Sequence, residues 1–375
     1  MNKEKRKIKL VIVINDFLIG GAQRLIVEIL LYMNRNQFDV TLVTLAEFEN
    51  RETMYHLLPS GIPVYKLGFK GFRDIRSWVA LGKLIKKERP DIVLSHLFFS
   101  NTVVRLLNIF IKFRTITVEH NTYVGNTWLQ IWCDCLLSHL SYKIVAVSPT
   151  VMEFASHQQH VSLEKFVVIK NGIDVQTLAR KAGVVDKFDV KRELQVLPED
   201  KIIISVGRLT GQKDPLLLID GFARFVRSCP NYHLVIMGDG TLRSDMEKQV
   251  EARGVSAKVH FLGNVSNVVR YYAAADFLIS TSLIEGLSMA HLEALACKLP
   301  LLTTRTAGSE ELVKEDENGF FITESTPEAV EKGLRRMDGA LMKTMRENAY
   351  KVAERYDVRR TVSEYEKLLT DIADK

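Results

Sequence analysis

No run of about 18 apolar residues, the length that a membrane-crossing helix needs, occurs anywhere in the 375-residue chain. The basic start, Met1 to Lys7, has no small-residue cleavage site after it and leads straight into an apolar strand. A cytoplasmic, unprocessed protein is therefore expected. Cysteine is scarce: Cys133, Cys135, Cys229 and Cys297 are the only four, and Cys133-Asp-Cys135 lacks the second pair that a zinc site requires. Reduced structural thiols follow, and no bound metal. Missing too are the G-x-G-x-x-G dinucleotide fingerprint, an acidic D-x-D motif, short-period repeats and any nucleic-acid-binding motif.

Acid is short in the first half of the chain. Residues 1–174 hold 22 Lys and Arg against 15 Asp and Glu, whereas the remainder holds 29 against 30. Such a local basic excess suits an anionic membrane surface or a phosphorylated acceptor. Nucleic acid ranks last, because no motif for it accompanies the charge. Two segments here mix apolar and basic residues, Gly68 to Lys87 and Arg105 to Arg114, and all three tryptophans (Trp78, Trp128, Trp132) lie in this half. Interfacial helices have that composition, and so do half-buried helices with snorkelling Lys and Arg.

What the chain does contain is ordinary globular material, 47% hydrophobic and 26% charged, at a length that suggests two domains. Apolar, β-branched runs alternate with segments of helical period. In the first half strands are expected at Ile8 to Ile14, Asp39 to Leu45, Pro63 to Leu67, Asp91 to Ser95, Thr115 to Glu119, Lys143 to Ser148 and Phe166 to Ile169. Helices are expected at Ala22 to Tyr32, Ile75 to Glu88 and Thr102 to Phe110. The pattern restarts at Lys201 with strands at Leu234, Val259, Ala275, Leu299 and Gly319, and closes with a helix from Arg359 to Ala373. Alternating strands and helices mean a parallel, doubly wound sheet in each half. The turn Asn171-Gly-Ile-Asp174 and the charged stretch 175–200 read as a linker, with domains expected at 1–172 (plus 357–375) and 173–356.

The chain is organised around Glu285-Gly-Leu-Ser-Met-Ala-His-Leu-Glu293, which follows a buried strand and opens a helix with Ser288 at its cap and Pro300 beyond its end. Glu285 falls in the loop at the strand's C-terminal end and Glu293 in the helix. In open α/β sheets ligands bind at that rim, where free helix N–H groups suit an anion and carboxylates suit sugar hydroxyls. A helix-dipole acid followed by a solvated Glu equally accounts for the spacing. A second rim loop carries Gly207, Arg208 and Lys213 before Asp214-Pro215, a pair of cations fit to clamp a phosphate. Gly20-Gly21, between the first strand and first helix, allows close backbone approach to a ligand or makes a tight turn. His120 follows the strand ending at Glu119, as a hydroxyl or phosphate donor or as a structural histidine.

With these residues in hand, the chain resembles the retaining glycosyltransferases of family 4, the glycogen-synthase-like group of the GT-B fold. The resemblance rests on Glu285-x7-Glu293, Gly207-Arg208-Leu209 with Gln212-Lys213, Asn171-Gly-Ile-Asp174, Gly20-Gly21-Ala22 and Gly238-Asp-Gly240, in the family's order over nearly the whole length. It implies two facing Rossmann-like domains with a donor cleft between them. Carried over, Arg208 and Lys213 bind the donor diphosphate, Glu293 the ribose and Glu285 the sugar hydroxyls. The amides of Leu287 and Ser288 and the Gly20-Gly21 loop approach the phosphates, and His120 contacts the donor sugar.

The activity so implied is retaining transfer from a UDP- or GDP-linked sugar to a lipid-linked or polysaccharide acceptor at the cytoplasmic membrane face, without metal or other cofactor. A nucleotide-sugar epimerase, a synthase acting on a soluble sugar phosphate and an inactive scaffold are the alternatives. With Lys213 as a donor-binding cation, Lys213→Ala is expected to abolish transfer while leaving thermal unfolding nearly unchanged.

Overall fold

The computed structural model describes residues 6–48, 52–122, 127–339 and 341–375, so most of the basic N-terminal run lies outside the described residues. Two compact units form, residues 1–172 with 358–375 and residues 173–357.

The first unit begins β1 (Ile8–Ile14), α1 (Gly21–Tyr32), β2 (Phe38–Thr44), β3 (Val64–Lys66), α2 (Ile75–Glu88), β4 (Ile92–His96) and α3 (Phe98–Phe110). It continues β5 (Arg114–Glu119), α4 (Trp128–Leu137), β6 (Lys143–Ala146), α5 (Pro149–Gln159) and β7 (Phe166–Val168). Its seven strands are parallel in the order β3-β2-β1-β4-β5-β6-β7. The central strands are buried on both faces, which is why they read as unbroken Ile/Val/Leu runs. On α1, Leu25, Ile26, Ile29 and Leu30 recur at helical spacing and are all buried. Asp74 caps α2 by accepting from the Ser77 amide, and the bounds of that helix coincide with those expected.

The second unit runs α6 (Val175–Gly183), α7 (Lys187–Glu193), β8 (Lys201–Val206), α8 (Pro215–Val226), β9 (Tyr232–Met237), α9 (Arg243–Ala252), β10 (Val259–Gly263) and α10 (Val268–Ala274). Then follow β11 (Phe277–Ser280), α11 (Met289–Ala296), β12 (Leu301–Thr304), α12 (Ala307–Leu312), β13 (Gly319–Ile322), α13 (Pro327–Asp338) and α14 (Met342–Ala353). The sheet is again parallel, β10-β9-β8-β11-β12-β13, the Rossmann order. The final helix, α15 (Val358–Ala373), returns to the first unit. It packs on α1, the Thr361 hydroxyl donates to the Lys170 carbonyl at 2.9 Å, and the Asn34 amide donates to Glu366 at 2.6 Å. At the crossing a Cβ on Gly172 would lie 2.3 Å from Thr361 Oγ1, so only glycine fits there.

Two expectations fail. Residues 175–200 are not a linker: Asp174 and Asp186 cap α6 and α7, and Val175, Leu178 and Val190 are buried in the second unit. Alternating charge hid a short amphipathic pair whose apolar residues are few. Nor is Arg105 a surface cation. It is fully buried on α3, donating to Asp134 (2.8 Å), Thr117 (3.0 Å) and Ser141 (2.9 Å), with Glu119 3.7 Å away. Burial and the neighbouring Glu119 push the Asp134 carboxyl up to about 7. The helices α5, α12 and α14 also went unread.

Candidate functional site

In the second sheet the strand order reverses between β8 and β11, and the loops leaving these two strands carry the expected residues. A turn of 3₁₀ helix at Gly211–Lys213 follows β8, and Asp214 then takes a left-handed φ of 41° before Pro215 opens α8. An aspartate in that region is strained, and it is held there from outside. The Thr281 hydroxyl, beyond β11, reaches the carbonyls of Lys213 (3.1 Å) and Asp214 (2.9 Å). The Leu283 amide donates to the Gln212 carbonyl, and Gln212 Nε2 to the Ile284 carbonyl, both at 2.9 Å. The two loops are thus stitched into one rigid floor.

Lys213 and Glu285, 72 positions apart, form an ion pair on that floor. Their side chains are only 19% and 13% exposed. Ser282 adds a hydrogen bond to the same Glu285 oxygen at 3.0 Å. Burial alone would raise the Glu285 carboxyl, but the Lys213 ammonium and the Ser282 hydroxyl outweigh it and hold the group below its ordinary value. An ionised carboxylate at pH 7 accepts hydrogen bonds and cannot give a proton. Arg208 leaves the same loop exposed, and among the described residues its side chain makes no hydrogen bond or ion pair. Gly207, Arg208, Lys213 and Ser280 to Ser282 line a shallow open depression.

Gly238 and Gly240 explain themselves here. At a φ of 130°, a Cβ on Gly238 would come within 1.9 Å of the Gly207 carbonyl oxygen, and one on Gly240 within 2.3 Å of that of Leu209. The loop after β9 therefore lies backbone to backbone on the cation-bearing loop, tied by Leu209 N to Asp239 O at 3.0 Å and Leu242 N to Leu209 O at 2.9 Å. Side chains there would push Arg208 and Lys213 away from the rim.

Leu287 and Ser288 head α11, with Ser288 at the cap position, although its hydroxyl makes no capping bond. Glu293, five residues into α11, is 9% exposed and within 3.4 Å of the Tyr272 hydroxyl. No described hydrogen bond joins it to Lys213 or Glu285. A third group, unanticipated, does approach that pair: His291 is buried, its Nδ1 has no partner, and burial pushes its pKa down to about 4. Glu285 opposes that shift and Lys213 adds to it. Its position within the Glu285–Glu293 stretch was the available signal.

Gly20, Gly21 and His120 belong to the first unit. Gly20 precedes α1 with extended backbone, φ −172°, and the loop before it is braced by Asp16, which accepts from the Leu18 amide (3.0 Å) and from Gln23 (3.1 Å). A Cβ on Gly20 would meet only the end of the Gln23 side chain, Oε1 at 2.5 Å, which can turn aside, so neither space nor conformation reserves this position for glycine. His120 stands just past β5, partly exposed, with its Nε2 3.0 Å from His96 Nδ1 at the end of the adjacent β4. Burial pushes His120 down to about 4 and His96 well below its ordinary value, so both are neutral.

Comparison with known proteins agrees with this geometry. Two family models match: glycosyltransferase family 4 over residues 19–177 and glycosyl transferases group 1 over residues 186–352. The UDP-Gal:alpha-D-GlcNAc-diphosphoundecaprenol alpha-1,3-galactosyltransferase of Escherichia coli is 24% identical over 99% of both chains. In Campylobacter jejuni, the N-acetylgalactosamine-N,N'-diacetylbacillosaminyl-diphospho-undecaprenol 4-alpha-N-acetylgalactosaminyltransferase is 27% identical, covering 90% of this chain and 93% of that one. Among solved structures, Anabaena HepE in complex with UDP and glucose superposes with a TM-score of 0.83 at 19% identity, over 97% of this chain and all of that one. Its two-domain fold is shared. The two models between them take in most of the chain, which belongs to the group 1 glycosyltransferases of the GT-B fold.

Proposed function

We propose that the protein is a retaining, metal-independent glycosyltransferase that moves a sugar from a UDP- or GDP-linked donor to a lipid-linked acceptor at the cytoplasmic face of the membrane. The observation that carries this reading is the Lys213–Glu285 pair, seated beside exposed Arg208 where the second sheet's strand order reverses. Arg208 and Lys213 take the donor diphosphate, and the α11 N-terminus adds its N–H groups. As the sugar–phosphate bond breaks, charge grows on the leaving diphosphate, and fixed cations aimed at it supply the largest catalytic term. Glu285 keeps Lys213 aimed and, with its second oxygen, accepts from the donor's hydroxyls. Glu293 takes the ribose, Gly20 and Gly21 admit the phosphates, and His120 donates to the sugar. No carboxylate needs to act as nucleophile. The acceptor attacks from the leaving-group face, and its proton goes to the departing phosphate oxygen. Both relatives named above make alpha-linked products on diphosphoundecaprenol-linked sugars, which from an alpha-linked donor is net retention.

The test is a thermal-shift panel of UDP, GDP and their sugars in EDTA, followed by transfer to a polyprenyl-diphosphate sugar with the product anomer read by NMR. One nucleotide family should stabilise the protein by about 2.7 kcal/mol at a hundredfold excess over Kd, and an alpha donor should give an alpha product in EDTA. Absence of any shift sinks the donor site, and a beta product sinks retention. Loss of transfer in EDTA sinks metal independence.

Association with the membrane is peripheral in this reading, since among the described residues no helix is long and apolar enough to cross a bilayer. Two surfaces of the first unit support it. On α2, exposed Ile75 and Val79 alternate with exposed Arg76, Lys83, Lys86 and Lys87. On α4, Trp128 is 77% and Trp132 60% exposed. Flotation with phosphatidylglycerol-containing vesicles should recover the protein, and Trp128→Ser/Trp132→Ser should cut recovery severalfold. Equal recovery of wild type and variant would remove α4 from the contact.

A further inference from the structure

The first unit contains a histidine pair in which one buried nitrogen lacks a partner whichever way the protons sit, and the two arrangements differ in cost. His96 ends β4 and is fully buried, while His120 follows β5, the next strand in the sheet. Their rings lie 5.2 Å apart between centroids, joined through His96 Nδ1 and His120 Nε2 at 3.0 Å. The remaining nitrogen of His96, Nε2, is buried without a partner. A neutral imidazole carries a single N–H, so the 3.0 Å bond is made in one of two ways.

In the first arrangement His96 holds its proton on Nδ1 and donates to His120 Nε2, leaving the buried Nε2 of His96 as a bare lone pair. In the second, His120 donates from Nε2, which forces the His96 proton onto Nε2 and leaves an N–H buried with nothing to bond. Orphaned buried N–H groups are rarer than under-satisfied acceptors. The first arrangement is therefore favoured, and it requires the proton of His120 to sit on Nδ1.

We infer that His96 is a positioning residue: by donating Nδ1–H to His120 Nε2 it fixes both the ring orientation and the tautomer of His120, which then offers its remaining nitrogen as an N–H donor only. The consequence for the reaction rests on the reading of His120 given above. A nitrogen that already carries a proton donates to a sugar hydroxyl or phosphate oxygen, and it does not take the proton of the attacking acceptor. His120 is thereby excluded as the general base, and the departing phosphate oxygen is left to do that work. The arrangement is the protein-only counterpart of a ligating histidine held in one tautomer by its outer partner.

Long-range proton–nitrogen spectra of the histidine-labelled full chain read the tautomers directly and need no activity. Both His96 and His120 should be Nδ1–H. Finding His120 protonated on Nε2, or charged at pH 7, overturns the inference. Substitutions then separate positioning from packing. Asparagine at 96 keeps an N–H near the Nδ1 position, so His96→Asn should hold kcat/KM for the donor within about threefold, whereas His96→Leu should lose about tenfold, the worth of one hydrogen bond. His96→Asp offers an acceptor instead and should move the His120 proton to Nε2. If His96→Asn falls as far as His96→Leu with both variants folded, His96 is structural. Unchanged transfer in His120→Ala would instead remove the role of His120 and leave the tautomer result standing.

Discussion

Lys213→Ala should lower transfer by about 10²–10³-fold and also destabilise the second unit by about 2 kcal/mol. The sequence alone led to the expectation of unchanged stability, and the ion pair revises it. Removing one partner of a buried pair leaves the other charge uncompensated, at a cost of about 3–5 kcal/mol when burial is complete. Here the side chains keep 19% and 13% of their exposure and Ser282 stays bonded to Glu285, so the loss falls below that range, to about 2 kcal/mol. In a unit of this size that is a fall of about 5 °C in Tm. Glu285→Gln in the same background should restore most of the lost stability and none of the transfer, because an amide needs no counter-ion. A double-mutant cycle on Tm and on donor kcat/KM measures both quantities. Additive stability effects would mean that the two groups do not interact in solution. Transfer unaffected by Lys213→Ala would remove it from the donor site.

The contrast between what was legible in the sequence and what was not follows from range. Period and capping act within a few residues, so the parallel strands, the α2 helix between Asp74 and Arg89 and the loops bearing Arg208 and Glu285 could all be read. Pairings across long separations could not. Lys213 looked like a free cation because its partner lies 72 positions on. Arg105 looked like a snorkelling one because Asp134 and Ser141 reach it from α4 and the turn before β6. His96 was passed over: it directly follows the strand expected to end at Ser95, as His120 follows Glu119, but only sheet order makes the two neighbours. The run 175–200 misled in the other direction, its charges concealing five buried apolar residues, Val175, Leu178, Val190, Leu194 and Val196.

Acid should unfold the second unit before the first. His260 and His291 are pushed down to about 4, in both cases chiefly by burial, and His233 is also lowered. In the unfolded chain histidine titrates near 6.5. A base whose folded value is depressed contributes stability that is present above the unfolded value and lost as pH falls through the window between the two. For each of His260 and His291 the loss between pH 7 and pH 5 is about 1–2 kcal/mol. The first unit has the same liability in His96 and His120, but a compensating group as well. Asp134, raised to about 7, binds its proton more tightly folded than unfolded, so its contribution grows as pH falls over the same interval. Calorimetry from pH 7 to 5 should show the second unit's transition moving down by several degrees further than the first's. His291→Gln, which cannot be protonated, should flatten the second unit's slope by about 1–2 kcal/mol across that window. If its Tm stays constant from pH 7 to 5, the folded state protonates these histidines as easily as water does, and their burial is not what the geometry implies.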